Sequence, residues 1–260
     1  MKKISGTKEW SNHSANMFIG CQHECLYCYA RTTPPGRVHL KKGNSWNTMI
    51  RTKKSFENAK KLDGQIMFPT LHDIIPEHLD DTVDFLTKWL QKGNRILITT
   101  KPHLKCVQRL CTDLSEYRTQ IIFRFTIGSM NNKFLQFWEK NAPLYEERKA
   151  SLIFAYKQGY ETSISCEPRL DAYIDELIED VSPYVTHSIW LGMMNKIDDR
   201  VDTSLWKLKD YMYLNEVKSI QRPAYLQKLY TKYKDNPLIC WKNELRETLH
   251  LPITVNRGKQ

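Results

Sequence analysis

Short β-rich runs alternate with amphipathic stretches over residues 1–200, and this alternation restricts the chain to an α/β fold with parallel strand pairing. The predicted strands are Met17-Phe18-Ile19, ending at Gly20, then Gln65–Phe68, Arg95–Thr99, Ile121–Thr126, Glu161–Ser165 and His187–Leu191. Helices are predicted over Thr48–Lys61, Leu79–Lys92, Leu104–Leu114, Leu144–Lys157 and Leu170–Val181. Val83, Leu86 and Leu90 share one face of the second helix, and Gly93 supplies its stop. About six such units build an open sheet or a partial barrel, and periodicity does not choose between them. After Asp198 the texture changes: Leu205–Val217, Pro223–Tyr233 and Trp241–Leu249 read as helices with no strand between. The expected organisation is therefore a β/α unit over 1–200 and a helical extension over 201–260 packed on it, with a frayed tail from Asn256.

A chain of 260 residues with 41% hydrophobic and 26% charged residues has the make-up of an ordinary globular protein. It holds no apolar run long enough to span a bilayer and no apolar stretch behind the charged start that would read as a secretion signal. The seven cysteines are odd in number and unevenly spaced, unlike a secreted disulfide framework, so a reducing cytoplasm is the expected location. The formal charge is +10, and much of it is local. Arg37, Lys41, Lys42, Arg51, Lys53, Lys54, Lys60 and Lys61 are opposed only by Glu57, with Trp46 and Phe56 interleaved. That 37–61 segment suits a phosphate-bearing partner such as a nucleic acid or nucleotide; a solvated loop and helix face is the plainer reading.

The chemistry is concentrated in Gly20-Cys21-Gln22-His23-Glu24-Cys25-Leu26-Tyr27-Cys28-Tyr29-Ala30-Arg31, whose cysteine spacing is C-x₃-C-x₂-C directly after a strand. Three soft thiolates in one tight loop suit an iron–sulfur cubane or zinc. Zinc would use Cys21, Cys25 and Cys28 with His23 or a distant fourth ligand, whereas a cubane held by three cysteines leaves one iron open for catalysis. From the residues alone both stay open: a zinc-stabilised nucleic-acid-binding protein, a non-catalytic iron–sulfur redox protein, or an enzyme.

The spacing, with Tyr27 just before the last cysteine, resembles the signature of the radical S-adenosylmethionine (SAM) superfamily. The wider run from Asn16 to Arg31 resembles the spore photoproduct lyase-like branch, with Met17 and Phe18 standing where that branch often has Pro and Tyr. Pro69-Thr70-Leu71-His72-Asp73-Ile74-Ile75-Pro76-Glu77 is a partial match to the second-strand loop of those relatives, His72 replacing a threonine. Thr99-Thr100-Lys101, the Glu139–Pro143 run followed by Glu147-Arg148, and Ser165-Cys166-Glu167-Pro168 with Gly192-Met193-Met194-Asn195 carry weaker likeness. The likeness covers roughly residues 10–200.

The resemblance implies a partial (β/α)6 TIM-like barrel. It implies a 4Fe-4S cluster held by Cys21, Cys25 and Cys28, and S-adenosylmethionine bound at the open iron and reductively cleaved to a 5′-deoxyadenosyl radical that abstracts hydrogen. A reductase or flavodoxin-type protein would supply the electron. It places Tyr27 near the adenine, with its backbone on the base edge, and points toward DNA repair or nucleobase modification. Ligands of barrels gather at the C-terminal ends of strands. The further cofactor-binding candidates are accordingly Thr70, Asp73, Lys101, Ser129, Ser165, Glu167 and Asn195, each of which also reads as an ordinary helix cap. Cys166 is a candidate radical relay or substrate contact, against the plainer reading of a small buried residue.

Overall fold

The computed structural model describes residues 4–52 and 59–253. Its strands are β1 (His13–Ser14), β2 (Phe18–Ile19), β3 (Ile50–Arg51), β4 (Gln65–Phe68), β5 (Arg95–Thr100), β6 (Ile121–Thr126), β7 (Glu161–Cys166), β8 (Ser188–Leu191) and β9 (Ile239–Trp241). Between and after them come α1 (Pro34–Lys41), α2 (Leu79–Gln91), α3 (Leu104–Asp113), α4 (Asn132–Trp138), α5 (Tyr145–Lys157), α6 (Ile174–Val181), α7 (Ile197–Arg200), α8 (Tyr211–Ile220), α9 (Pro223–Tyr233) and α10 (Asn243–Thr248). One sheet runs β1-β4-β5-β6-β7-β8-β9, every pair parallel; β2 and β3 form a separate antiparallel ribbon. The α/β class and parallel pairing expected from the alternation are those observed.

Side-chain alternation sorts the sheet into two faces. Ile66, Phe68, Ile96, Ile98, Phe123, Phe125, Ile164 and Leu191 enter the large core with the helices, including Val83, Leu86 and Leu90 of α2. Each such side chain contributes roughly 2–3 kcal/mol by leaving water. The other face carries a second, smaller cluster in which Met67 of β4 and Cys240 of β9 meet around Trp10 with Leu97, Ile122 and Trp190. The cluster thus runs across this face from β4 to β9. The Arg124 guanidinium fills the middle of this inner face, 4.7 Å from the Trp10 ring and 5.3 Å from that of Trp190, with its Nε donating to Ser163 Oγ at 3.0 Å.

Three expectations are corrected, and one helix was not foreseen. The sheet begins not with Met17–Ile19 but with His13–Ser14, too short and polar to show a strand pattern; Phe18–Ile19 instead pairs with Ile50–Arg51. The helix expected over 48–61 is therefore not formed at its start, and its central residues 53–58, with Lys53 and Lys54 of the basic segment, lie outside the described residues. Helix α1, with Thr33 as its N-cap and two prolines in its first turn, was missed. The stretch after 200 is not wholly helical: Ile239-Cys240-Trp241 joins the sheet beside β8, so the sheet crosses the expected boundary, and Lys242 ties back to the N-terminal segment through Gly6 O at 2.7 Å. The tail beyond 253 lies outside the described residues. No helix among the described residues is long and apolar enough to cross a membrane.

Gly20 joins the ribbon to the cysteine loop at φ +105°, and a Cβ there would lie 2.3 Å from Thr48 O. Gly20→Ala is expected to lower stability by at least about 1 kcal/mol, read as a lower melting temperature by circular dichroism.

Candidate functional site

The loop carrying the three cysteines is pinned from both sides. Cys21 N–H donates to Trp46 O at 2.7 Å, and Leu26 N–H to Trp138 O at 2.9 Å. Asn141 braces its outer turn: its N–H reaches His23 O at 3.2 Å, and its amide Nδ2 reaches Gln22 O at 2.9 Å and Glu24 Oε2 at 3.0 Å. So held, Cys21, Cys25 and Cys28 line one side of a cavity of about 240 Å³. The C-terminal ends of β4, β5, β7 and β8 supply much of the remaining lining, among it Thr70, Lys101, Ser165, Glu167 and Asn195.

Asp73, after β4, is the hub of the loops. Its carboxylate accepts the Thr100 hydroxyl, the Lys101 N–H at 3.1 Å and the Ile74 N–H at 2.8 Å, and lies 3.2 Å from His23 Nδ1. Burial alone would raise its pKa, but the neighbouring His23, Lys101 and the Thr100 hydroxyl outweigh it and hold the carboxyl well below its ordinary range. The other imidazole nitrogen of His23 faces His103 Nε2 at 3.2 Å. Both ring nitrogens of His23 are thereby engaged with Asp73 and His103. Among the described residues no three His, Cys, Asp or Glu side chains converge on a single metal ion.

Asn16 fixes the turn after β4. It accepts the N–H groups of Thr70 and Leu71 on Oδ1 at 2.6 and 2.7 Å and donates to the Thr70 hydroxyl at 2.8 Å. Tyr29 O–H donates to Thr70 O at 2.7 Å. His72 locks the same turn: its Nε2 accepts Met17 N–H at 3.0 Å while Nδ1 faces Asp73 O at 3.0 Å. Burial brings its pKa down to about 4, so the ring stays neutral, as this pattern of one acceptor and one donor requires.

Beneath the cysteine loop lies a charged cluster built on the buried Glu139 and Arg148. Glu139 pairs with Arg148 Nη2 at 2.5 Å, accepts the Tyr27 phenol and faces Lys101 Nζ at 3.8 Å. Arg148 also donates to Pro143 O at 2.7 Å and to Thr126 O at 3.1 Å. The Lys101 ammonium sits 5.6 Å from the Tyr27 ring centre. The weak sequence likeness at Glu139 and Arg148 thus marks the brace under the loop.

On the far wall, Lys242 Nζ lies 3.4 Å from Glu167 Oε2 and 3.1 Å from Glu9 Oε1, and 4.2 Å from the Trp10 ring centre. Asn195 Nδ2 donates to Glu244 at 3.1 Å. Gly192 leaves the room this requires, since a Cβ there would lie 2.8 Å from the Glu167 side chain. Burial first, then the nearby Glu244 and Glu9, raise the Glu167 pKa to about 8 against the opposing pull of Lys242.

Of the residues singled out from sequence, Cys21, Cys25, Cys28, Tyr27, Thr70, Asp73, Lys101, Ser165, Glu167 and Asn195 meet at this cavity. Two stand elsewhere. Cys166 alternates with Ser165 and Glu167, so it points into the helix-facing core, not the cavity, and burial raises its thiol pKa to about 12. Ser129 is spent on a clasp with Asp171 and on Asn131 N–H at 2.7 Å. Sequence reading missed Asn16, His72, Glu9, Trp10 and Lys242. Asn16 and His72 stood inside quoted motifs; the other three come from the two ends of the chain and carry no local signal.

The fold has solved counterparts. Spore photoproduct lyase, in its complex with dinucleoside spore photoproduct and in a tyrosine-to-phenylalanine mutant, is similar with a TM-score of 0.50 at 14% identity, over 86% of this chain and 74% of that one. This chain therefore has the fold of spore photoproduct lyase, a radical S-adenosylmethionine enzyme. An uncharacterized protein of Acidianus two-tailed virus is 26% identical over 165 residues, 59% of this chain and 54% of that protein. The chain thus spans about half the length of that curated relative. No protein-family profile matches the sequence.

Removing one partner of the Glu139–Arg148 pair strands a buried charge. Arg148→Met is expected to cost about 3 kcal/mol in urea unfolding, with Glu139→Gln/Arg148→Met recovering part of it. Because the Glu167 pKa is raised on folding from 4.5 to about 8, the folded state holds its proton longer. Its stabilising contribution is complete below the unfolded pKa and is lost as pH rises through the folded one. Melting temperature should fall more between pH 5 and 8 in the parent protein than in Glu167→Gln.

Proposed function

We propose that this chain is a radical S-adenosylmethionine enzyme acting on a nucleotide or nucleobase in DNA, in repair or modification. The observation that carries the reading is the C-x₃-C-x₂-C loop, with its three free cysteines lining a cavity at the strand ends of this fold. We read the parallel sheet as a partial barrel. Its C-terminal mouth is the ordinary position for ligands.

The donor set fits a 4Fe-4S cluster. Burial raises the Cys25 thiol to about 12 and that of Cys21 well above its ordinary value, so thiolates at these positions need a metal to balance them. His23 has both nitrogens committed to Asp73 and His103 and supplies no fourth ligand in this arrangement. Cys106, Cys111, Cys166 and Cys240 lie outside the cavity lining, which leaves three cysteines for the cluster. This favours an open iron over a closed zinc site. When bound, the cluster with S-adenosylmethionine supplies one-electron cleavage of a sulfonium and hence a radical able to abstract hydrogen.

The chain's own residues bind, orient and exclude water. Asn16, His72 and Asp73 fix the turn that presents Thr70, and Asp73 also fixes the backbone of Lys101. Tyr27, its hydroxyl anchored on Glu139, lines the wall next to Cys28, where it would exclude water and border the adenine of a bound cofactor. Ser165, Glu167 and Asn195 offer hydrogen-bonding groups on the opposite wall, and Trp10, Met67, Met193 and Met194 supply apolar surface between. A base reaches such a recess by leaving its stack. The similar lyase is solved in complex with a dinucleoside spore photoproduct, which supports a nucleic-acid substrate here.

The deciding experiment is anaerobic reconstitution with iron, sulfide, dithionite and S-adenosylmethionine, scored for 5′-deoxyadenosine. The expected result is formation of 5′-deoxyadenosine by the parent protein and its loss, with loss of bound iron, in Cys25→Ala. A brown protein that fails to cleave S-adenosylmethionine would assign a redox role instead. Zinc in place of iron would assign a structural one.

A further inference from the structure

Few charged side chains line the cavity, and all but one are answered by the protein itself. Asp73 meets His23 at 3.2 Å, Lys101 faces Glu139 at 3.8 Å and Glu167 meets Lys242 at 3.4 Å. His72 is neutral, held between Met17 N–H and Asp73 O. The exception is Arg200, which forms no ion pair among the described residues and whose Nε is buried without a hydrogen-bond partner. The carboxylates nearest it in sequence do not answer it. Asp198 pairs with Lys218 at 3.0 Å, Asp199 is exposed, and Asp202 accepts the Ser204 N–H at 2.9 Å.

Arg200 ends α7, which follows β8 and the Met193-Met194-Asn195 stretch of the lining. It is half-buried and stands near enough to Tyr29 for its charge to act on the phenol. Tyr29 is 37% exposed and donates to Thr70 O, so Arg200 belongs to the rim of the cavity. Trp10, Met67, Met193 and Met194 make the recess behind that rim partly apolar. The division suits a nucleotide. An extruded base can enter an apolar recess, whereas its phosphate stays charged only beside water or a cation. A guanidinium fits that phosphate well, because its fork of donors matches two oxygens and it stays protonated. A half-buried cation without a partner is costly until a ligand brings the opposite charge.

We propose that Arg200 is a substrate-binding residue that holds, at the cavity rim, the phosphate of the nucleotide whose base enters the recess. The inference rests on the functional reading above and deepens it by naming the substrate group recognised at the rim. The carboxylate of S-adenosylmethionine carries a similar charge, and the test separates the two.

The test is a fluorescence anisotropy titration of a labelled single-stranded DNA oligonucleotide with the full chain, repeated over a salt series. The parent is compared with Arg200→Gln, Arg200→Lys and Lys228→Gln. Lys228 is exposed on α9 outside the cavity lining and controls for the loss of one charge. Each phosphate contact contributes about 0.7 to the slope of log affinity against log salt on a single strand. The expected result for Arg200→Gln is a slope shallower by about 0.7 and severalfold weaker binding at low salt. Lys228→Gln should behave as the parent. Arg200→Lys should keep the parent's slope but bind more weakly, because it retains the charge and loses the fork. Unchanged melting temperatures confirm folding. Affinity for S-adenosylmethionine, measured by equilibrium dialysis of the reconstituted protein, should be the same in Arg200→Gln as in the parent. An unchanged slope in Arg200→Gln, a fall no larger than that of Lys228→Gln, or no DNA binding by the parent overturns the proposal. Weaker S-adenosylmethionine binding with the DNA slope kept also overturns it and gives the guanidinium to the cofactor's carboxylate. DNA binding is read without turnover, so failure of dithionite-driven cleavage in the parent counts against the enzymatic reading alone.

Discussion

One carboxylate organises the cavity end of this fold. Asp73 gathers the Thr100 hydroxyl, two backbone N–H groups and the His23 ring from three separate stretches of chain. A buried carboxylate without such partners would be costly, and with them it becomes a knot among loops that parallel strands leave otherwise unconnected. The Glu139 cluster does the same from beneath, joining Tyr27, Lys101 and Arg148. Between these two knots the cysteine loop has little freedom, which is what the proposed cluster would need of its three ligands.

The cavity is asymmetric in a useful way. One wall is sulfur, aromatic and backbone; the other is polar, with Glu167 and Asn195 tied to charged groups that stand behind them. The first wall suits a cofactor whose chemistry must be kept dry, the second a substrate recognised by hydrogen bonds. Lys242 makes the second wall depend on both ends of the chain, since it follows β9 and bonds Gly6 and Glu9.

The central strands were legible because β4 to β8 are apolar or alternating runs set apart by turns and helices. His13–Ser14 and Ile239–Trp241 were not, being too short to outweigh their polar or helix-like surroundings; their strand character comes from pairing across the chain. At the site, the cysteine spacing and the rule that ligands gather at strand ends found most of the lining. The same period-two logic that puts Ser165 and Glu167 on the cavity excludes Cys166 between them, an inference open from the sequence but not drawn there. Asn16 and Lys242 act through partners distant in sequence, and no local pattern announces such pairings.

The central claim is that three cysteines hold an iron–sulfur cluster with one iron open to S-adenosylmethionine. Electron paramagnetic resonance of the dithionite-reduced, reconstituted protein tests it most directly. The account predicts a reduced-cluster signal whose shape changes when S-adenosylmethionine is added and which is absent from Cys28→Ala. A signal indifferent to S-adenosylmethionine, or no iron–sulfur signal in fully reconstituted protein, would contradict it.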